Sequence, residues 1–470
     1  MSEHRAKLES IGQTSVLRFY DSLDAAGKAR LDAQLAGIDF DALPGLIDGY
    51  VKNKPVVALP ETIEPVRAYP QRPDAAHAEL YDKALVRGRE LLRAGKVAAF
   101  LVAGGQGTRL GYDGPKGEYP VTPVRKKPLF QVFAEQLQAH GAAAGKPIPW
   151  YVMTSDINDA PTRAFFEKNN YFGYDKNHVR FFPQGMMPAF AMTGEMLLGA
   201  RDALALSPDG HGGSLRALRK SGALDDMRGR GVEHLSYFQV DNAIVHTIDP
   251  LFLGLHDLTG SEMSSKTIAK AGPLEKVGNF CVGDGRVQVI EYSDLPEDLA
   301  RQTDAAGGLK FNAGSIAIHA IRVDFVDRLT APGSDLKLIW HRADKKVPFV
   351  DEAGNPVKPV EPNAVKLEQF VFDAIPLARN ALVYTTSREE EFSPVKNADG
   401  VDSPATSRRD QIRRHARWLE AAGVTVPRTA DGEPDCTIEI SPVFAVDEAD
   451  LKTKTLQVKA IERGASVYFG

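Results

Sequence analysis

The apolar run VAAFLVA at Val97–Ala103 ends in GGQGTRLGYDGPKGEYP, so that six glycines, an arginine and a lysine crowd the twenty positions Leu101–Pro120. A run of this length and composition reads as a buried strand. Glycines that begin where such a strand ends lie at the carboxyl edge, where open α/β sheets take their ligands. There they permit tight turns and let backbone N–H groups approach an anion with no Cβ in the way. Arg109 can bond two phosphate oxygens with its planar fork, and Lys116 can set a mobile point charge on a neighbouring one. The combination points to a polyphosphate; the plain alternative is a surface turn with solvated cations. Two familiar phosphate loops are excluded by spacing. The dinucleotide fingerprint needs glycine where Leu110 stands, and the Gly-Lys-Ser/Thr of a P-loop is absent.

Around this loop the chain alternates short apolar runs with helical stretches: WYVMTS, VRFFPQ, SYFQVDN, QVIEYS and FNAGSIAIH follow VAAFLVA. Such alternation predicts an α/β fold around a central, mostly parallel mixed sheet. Residues 1–95 are expected to form an N-terminal helical region from SVLRFYDSL, ARLDAQLAGI and ALPGLIDGYV, then a proline-rich connector at Lys52–Pro73 and one long helix in AAHAELYDKALVRGRELLRAG. Residues 96–380 are expected to form the α/β domain that carries the loop. Residues 381–470 are expected to form a small β-rich module, because the polar SREEEFSPVKNADGVDSPATS breaks the pattern and TIEISPVFAV and ASVYFG read as short strands. A net charge of -5 argues against nucleic acid and anionic membrane as partners, and any anion site must be local. Cys281 and Cys436 show no disulfide or zinc spacing, and no apolar run is long enough to span a bilayer. A reducing cytoplasm is the expected compartment.

Three further stretches carry chemistry. SYFQVDN is an apolar strand followed by Asp241 at the ligand edge. That carboxylate suits either Mg²⁺, which takes one or two carboxylates plus phosphates and water, or the cap of the next turn. In FFPQG, Gln184 has an amide that can both donate a hydrogen bond and accept one from a ligand. The glycines of PDGHGG, Gly210 and Gly212, would admit backbone close to a base or ribose, or simply turn the chain.

LVAGGQGTRLG followed by PKG resembles the signature of the eukaryotic-type nucleotidylyltransferases that make UDP-sugars, the UDP-N-acetylhexosamine pyrophosphorylases in particular. FFPQGMMPA, SPDGHGGSLRAL, FQVDNAIVHTIDPLFLG, FNAGSIAIH, KLEQFVFD and REEEFSPVKNA extend the likeness, in family order, over nearly the whole chain. The resemblance implies a Rossmann-like nucleotidyltransferase fold and a reaction joining UTP to a sugar 1-phosphate with release of pyrophosphate. It also implies Ala103, Gly104, Gly105, Gly107 and Thr108 around the nucleotide, with Gln184, Gly210, Gly212 and Asp241 completing that set. Arg109, Lys116 and Lys396 become the catalytic cations and Asp241 the Mg²⁺ ligand. Gly278, Glu291, Asn312, Phe370 and Phe372 fall to the sugar, although the two phenylalanines suit a core at period two equally well.

Such a reaction brings one phosphate anion onto another, so charge neutralisation and positioning should dominate, and no general base is demanded. Consistently, GxSxG and HExxH are absent. Two departures from the animal-type pattern flank the expected sugar site: Asn279-Phe280 replaces a small apolar pair, and Ser315 replaces asparagine. Phe280 could narrow an acetyl pocket, which would favour glucose 1-phosphate. The resemblance keeps N-acetylglucosamine 1-phosphate as the first expectation, with glucose 1-phosphate the second and a non-catalytic nucleotide-binding protein the alternative of another class. The sequence favours neither a monomer nor an oligomer.

Overall fold

The computed structural model describes residues 4–55, 59–334 and 338–470. They group into two compact units, each assembled from separate stretches of chain. The larger comprises Pro60–Pro183, Leu218–Asp335 and Ile375–Gly470; the smaller comprises Met1–Leu59, Gln184–Ala217 and Leu336–Ala374. These units cut across the linear division at 95 and 380. The physical reason is that the N-terminal helices close no core of their own: Leu8, Leu31, Leu35 and Ile47 pack with Phe190, Leu198, Val365 and Leu367.

The larger unit holds a mixed ten-stranded sheet. Its strands are β1 (Ile63–Pro65), β2 (Val97–Val102), β3 (Trp150–Thr154), β4 (Val179–Pro183), β5 (His234–Gln239), β6 (Met263–Ala269), β7 (Asn279–Gly283), β8 (Arg286–Ile290), β9 (Ala313–Arg322) and β10 (Ala381–Thr385). Strands β5, β2, β3 and β4 are parallel neighbours in that order, and β10 runs parallel to β6. Strand β9 pairs antiparallel with β5, β6 and β7. β3 is buried throughout and β2 at all but its last residue, which is why each reads as an unbroken apolar run. The apolar runs noted in the sequence thus all become strands of this sheet. The smaller unit carries its own three-stranded antiparallel sheet of Trp340–Lys345, Ala364–Gln369 and Phe190–Ala191.

Helix α1 (Ala78–Ala94) buries Tyr81, Ala84, Gly88, Leu91 and Leu92 at helical spacing and stops at Gly95, whose φ of 73° lets its N–H reach the carbonyls of Leu91 and Leu92. α2 (Leu129–Ala144) follows the glycine-rich loop, and α3 (Pro250–Leu258) starts on Asp249, whose side chain accepts the Phe252 N–H. α1 and α3 cross at backbone distance. A Cβ on Gly88 would fall 1.7 Å from the Pro250 carbonyl oxygen, and one on Gly254 1.7 Å from that of Ala84. In the smaller unit, the helix expected over SVLRFYDSL is instead two 3₁₀ turns, Thr14–Leu17 and Tyr20–Ser22. The backbone here closes in i→i+3 bonds, Arg18 N–H donating to Ser15 O and Leu23 N–H to Tyr20 O. Of the connector Lys52–Pro73, residues 56–58 lie outside the described residues, and the rest supplies β1, paired with β7.

At the C-terminal end, α4 (Pro404–Ala421) opens with a reciprocal Ser403–Thr406 capping box, and Thr437–Ile440 pairs in parallel with Ser466–Phe469. Both strands expected from the tail are present, but the segment is not β-rich, because the 18-residue α4 supplies more of it than the two four-residue strands do. Trp418, Leu419, Cys436, Ile438 and Leu451 form a separate apolar cluster there. Glu439 ties this cluster to the chain between the glycine-rich loop and α2 by accepting the N–H groups of Val124 and Arg125, at 2.8 and 2.7 Å. Both cysteines are buried free thiols, and burial pushes that of Cys281 up to about 12. Among the described residues no helix is long and apolar enough to cross a membrane.

Candidate active site

The glycine-rich loop leaves β2 and folds back on itself. Gly107 N–H donates to Gly114 O at 2.8 Å and Lys116 N–H to Gly105 O at 3.1 Å, which closes a loop whose turns use left-handed backbone at Gly111 (φ 69°) and Gly114 (φ 151°). Ala103 is buried, Gly104 half-buried, and Gly105, Thr108 and Arg109 face solvent. Gly107 is buried beneath Tyr112, where a Cβ would lie 2.9 Å from the tyrosine ring. Asn158, fully buried, latches the start of the loop: its Nδ2 donates to Ala103 O at 3.0 Å and its Oδ1 accepts the Ser155 N–H at 2.7 Å.

Lys116 is only 6% exposed. It is seated there because Gly117 lies against Phe130, so close that a Cβ would come within 2.1 Å of the ring. A side chain at 117 would force the ring or the turn that carries the lysine to move. Among the described residues its ammonium makes no hydrogen bond, and burial holds its pKa below the usual 10.5. Asp241 opposes that shift, whereas Arg109 and Lys396 reinforce it. Three cations and one carboxylate, drawn from three separate regions of the sequence, thus lie within electrostatic reach of one another. A buried ammonium with no ion-pair partner is costly to the folded state unless an anion comes to it.

Asp241 follows β5 and is half-buried; among the described residues its carboxylate makes no hydrogen bond. Lys396 is half-buried, 5.9 Å from the Phe392 ring centroid. The backbone joins these two directly, since Val395 N–H donates to Asp241 O at 2.7 Å. The donor set suits Mg²⁺, which needs few protein oxygens when phosphates supply the rest. Among the described residues no group of three or more His, Cys, Asp or Glu is placed to hold a metal ion by itself.

Of the residues assigned to the sugar, Gly278 and Glu291 meet: a Cβ on Gly278 would lie 3.2 Å from Glu291 Oε1, and Ser315 N–H donates to Gly278 O at 2.8 Å. Asn312 is exposed and its Oδ1 accepts the Lys270 N–H at 2.8 Å. Strand alternation sends Asn279 and Phe280 to opposite faces of β7. Asn279 accepts from Lys270 Nζ at 2.6 Å and borders a cavity of about 450 Å³ with Lys276 and Tyr292, whereas Phe280 is buried beside a smaller one of about 170 Å³ with Thr267 and Asn312.

Gln184, Gly210, Gly212, Phe370 and Phe372 belong to the smaller unit. The close approach that the two glycines permit is to the protein's own chain. A Cβ on Gly210 would lie 2.3 Å from Gln369 O and one on Gly212 2.7 Å from Phe370 N, and Gly212 N–H donates to Gln369 O at 2.7 Å. Gln184 is buried. Phe370 stacks on His341 and His211, with centroids 4.1 and 5.1 Å away, and Phe372 is buried 5.2 Å from it.

Sequence reading missed Asn158, which reads as an ordinary helix-start asparagine, and the fully buried Lys266. The Lys266 Nζ lies 2.6 Å from Asp249 and 2.7 Å from Glu391, close beneath the segment that leads to Lys396. In SSKTIAK that lysine occupies a strand position with no sign of burial. Its partners stand 17 and 125 residues away.

A glycine cradle at the carboxyl end of a parallel strand, with cations and a carboxylate that are unpaired among the described residues within electrostatic reach of its buried lysine, has the make-up of a nucleotidyltransferase site. The chain belongs to the UTP–glucose-1-phosphate uridylyltransferase family, whose pattern it matches over residues 60–403. It is 38% identical to a UDP-N-acetylhexosamine pyrophosphorylase-like protein 1 of Mus musculus, over 94% of this chain and 92% of that protein. It is 40% identical to the UDP-N-acetylglucosamine pyrophosphorylase of Saccharomyces cerevisiae, over 72% and 73%. The crystal structure of the uridine diphosphate N-acetylglucosamine pyrophosphorylase from Trypanosoma brucei in complex with inhibitor superposes with a TM-score of 0.82 at 27% identity, covering 97% of each chain.

Proposed function

We propose that this protein transfers the uridylyl group of UTP to N-acetylglucosamine 1-phosphate, giving UDP-N-acetylglucosamine and pyrophosphate. The observation that carries the reading is Lys116, a buried ammonium that pairs with no protein anion among the described residues and lies within electrostatic reach of Arg109, Lys396 and the carboxylate of Asp241. The sugar phosphate already carries its attacking oxygen ionised, because the second pKa of a phosphate monoester is about 6. The protein's task is then to relieve repulsion and hold the two esters in line. Backbone N–H groups of the glycine cradle and Arg109 hold the triphosphate; Lys116 and Lys396 offset the charge that builds on the phosphates as they meet. Asp241 would hold Mg²⁺, which supplies further charge neutralisation when bound. By family likeness Gln184, Gly210 and Gly212 are assigned to the uracil and ribose, Gly278, Glu291 and Asn312 to the sugar hydroxyls, and Phe370 and Phe372 to its acyl group. The curated relatives named for N-acetylglucosamine and N-acetylhexosamine support the choice of sugar.

The test is a panel of sugar 1-phosphates with UTP and Mg²⁺, read as pyrophosphate release. N-acetylglucosamine 1-phosphate should give the highest kcat/KM. A higher value for glucose 1-phosphate would replace that substrate, and silence across the panel would leave a nucleotide-binding protein without catalysis.

A pH dependence follows from Lys116. Its pKa in the free protein lies below 10.5, and the charged form is the one that meets phosphate. Raising the pH should therefore lower kcat/KM for UTP, with a midpoint below 10.5, and Lys116→Arg should push that limb to higher pH. An alkaline limb unmoved in the arginine variant would assign it to another group.

A further inference from the structure

We propose that Asn242 is a positioning residue for the transfer reaction, fixing the chain that carries Lys396 at the separation from Asp241 at which both address one polyphosphate. The proposal rests on the reading of Lys396 and Asp241 given above. Asn242 directly follows Asp241 and is 4% exposed. Its Nδ2 donates to Glu391 O at 2.6 Å, and its Oδ1 accepts the Ser393 N–H at 3.1 Å. One residue back, Asp241 O accepts the Val395 N–H at 2.7 Å. Two consecutive residues thus grip positions 391, 393 and 395, and the next residue is Lys396.

The grip is needed because no regular ladder can form here. Pro394 has no N–H, and its contact with Asn242 is an isolated bridge outside any strand. An asparagine side chain carries the donor and acceptor of a peptide group in one plane, so Asn242 supplies the missing pair that a neighbouring strand would give. Both gripped residues are themselves tied down. The Glu391 carboxylate is held by Lys266 at 2.7 Å and by Thr386 Oγ1 at 2.6 Å, and Ser393 Oγ donates to Asp410 at 2.8 Å. Beyond the lysine, the N–H groups of Lys396 and Asn397 both donate to Asp402 O. Residues on either side of Lys396 are therefore anchored, and beside the Val395–Asp241 backbone bond Asn242 is the side-chain link between that anchored segment and Asp241. A shift of about 1 Å in such an arrangement can lower turnover by up to about 10²-fold.

The test is a kinetic cycle on the full-length protein with Asn242→Ala, Lys396→Ala and the double variant, measuring kcat and KM for UTP and N-acetylglucosamine 1-phosphate, with a thermal melt of each. Asn242→Ala should lower kcat by about 10-fold with less than about a 3-fold change in KM for UTP, and in the Lys396→Ala background it should lower kcat by less than about 2-fold. An equal factor in both backgrounds, or an unchanged kcat in Asn242→Ala, overturns the positioning role while leaving Lys396 in place. A Lys396→Ala variant with full turnover instead overturns the reading of Lys396, and the proposal with it. Should the alanine variant fail to fold, Asn242→Asp serves in the same cycle, since it keeps the volume and the acceptor for Ser393 but cannot donate to Glu391.

Discussion

Lys116→Ala should lower kcat by on the order of 10²-fold or more, equivalent to about 2.7 kcal/mol of lost transition-state stabilisation, while the protein stays folded. The two halves of this expectation come from the same geometry. Within the described residues the ammonium is buried and unbonded, so its removal strands no protein partner and relieves a desolvated charge. The thermal midpoint of the unliganded variant should accordingly equal or exceed that of the parent, the usual pattern where a site is kept charged for its substrate. UTP should raise the midpoint of the parent more than that of the variant, because the triphosphate supplies the missing counter-charge. A variant that turns over normally would remove Lys116 from the reacting phosphates; one that unfolds would show that the lysine holds the loop together instead.

Lys266→Met should have the opposite signature, a loss of stability on the order of 3–5 kcal/mol in urea unfolding at neutral pH. Lys266 is 1% exposed and sits between Asp249 and Glu391, the latter also buried. Taking away the ammonium leaves two desolvated carboxylates with their charges uncompensated. Adding Glu391→Gln to Lys266→Met should recover part of the loss, because it removes one of the two stranded charges. An equal loss in single and double variants would argue that packing, and not charge, is what the lysine provides.

The same cluster sets how stability varies with pH. Burial alone would raise the Asp249 pKa, but Lys266 overrides it and holds the value below 3.8. Burial alone would lower that of Lys266, but Asp249 and Glu391 override it and hold the value above 10.5. The carboxylate's contribution is thus complete above about pH 4 and fades as pH falls through its folded value. The ammonium's is complete below about pH 10 and fades as pH rises through its own.

How far the sequence reveals this molecule follows from the distance over which each feature is decided. The parallel strands were legible because a strand buried on both faces must be apolar at consecutive positions, and the loop after β2 because glycine density and two cations fall within twenty residues. Asp241 was legible as a carboxylate at a strand's end, although its freedom from a capping role depends on the surrounding chain. Lys396 was readable only through family likeness, because it sits behind an acidic run that ordinarily marks a solvated surface. Asn158, Asn242 and Lys266 stayed hidden: each is a common residue whose meaning comes from a partner far along the chain. The assembly of the smaller unit from three segments was hidden for a related reason. Apolar periodicity shows that residues 8–51 need a core, but not that Phe190 and Leu367 complete it. Gly210 and Gly212 are an intermediate case, since their density was visible but the Gln369–Phe370 backbone they lie against was not.

The two buried thiols make the protein its own reporter of partial opening. Cys281 sits in β7 and Cys436 beside the Thr437–Ile440 strand of the C-terminal cluster, and burial raises the pKa of both, so neither presents a thiolate to an alkylating reagent near neutrality. Modification at either position therefore waits for the local structure to come apart. Mass-resolved labelling kinetics would count the excursions of the sheet and of the C-terminal cluster separately, in unmodified protein and with no probe introduced.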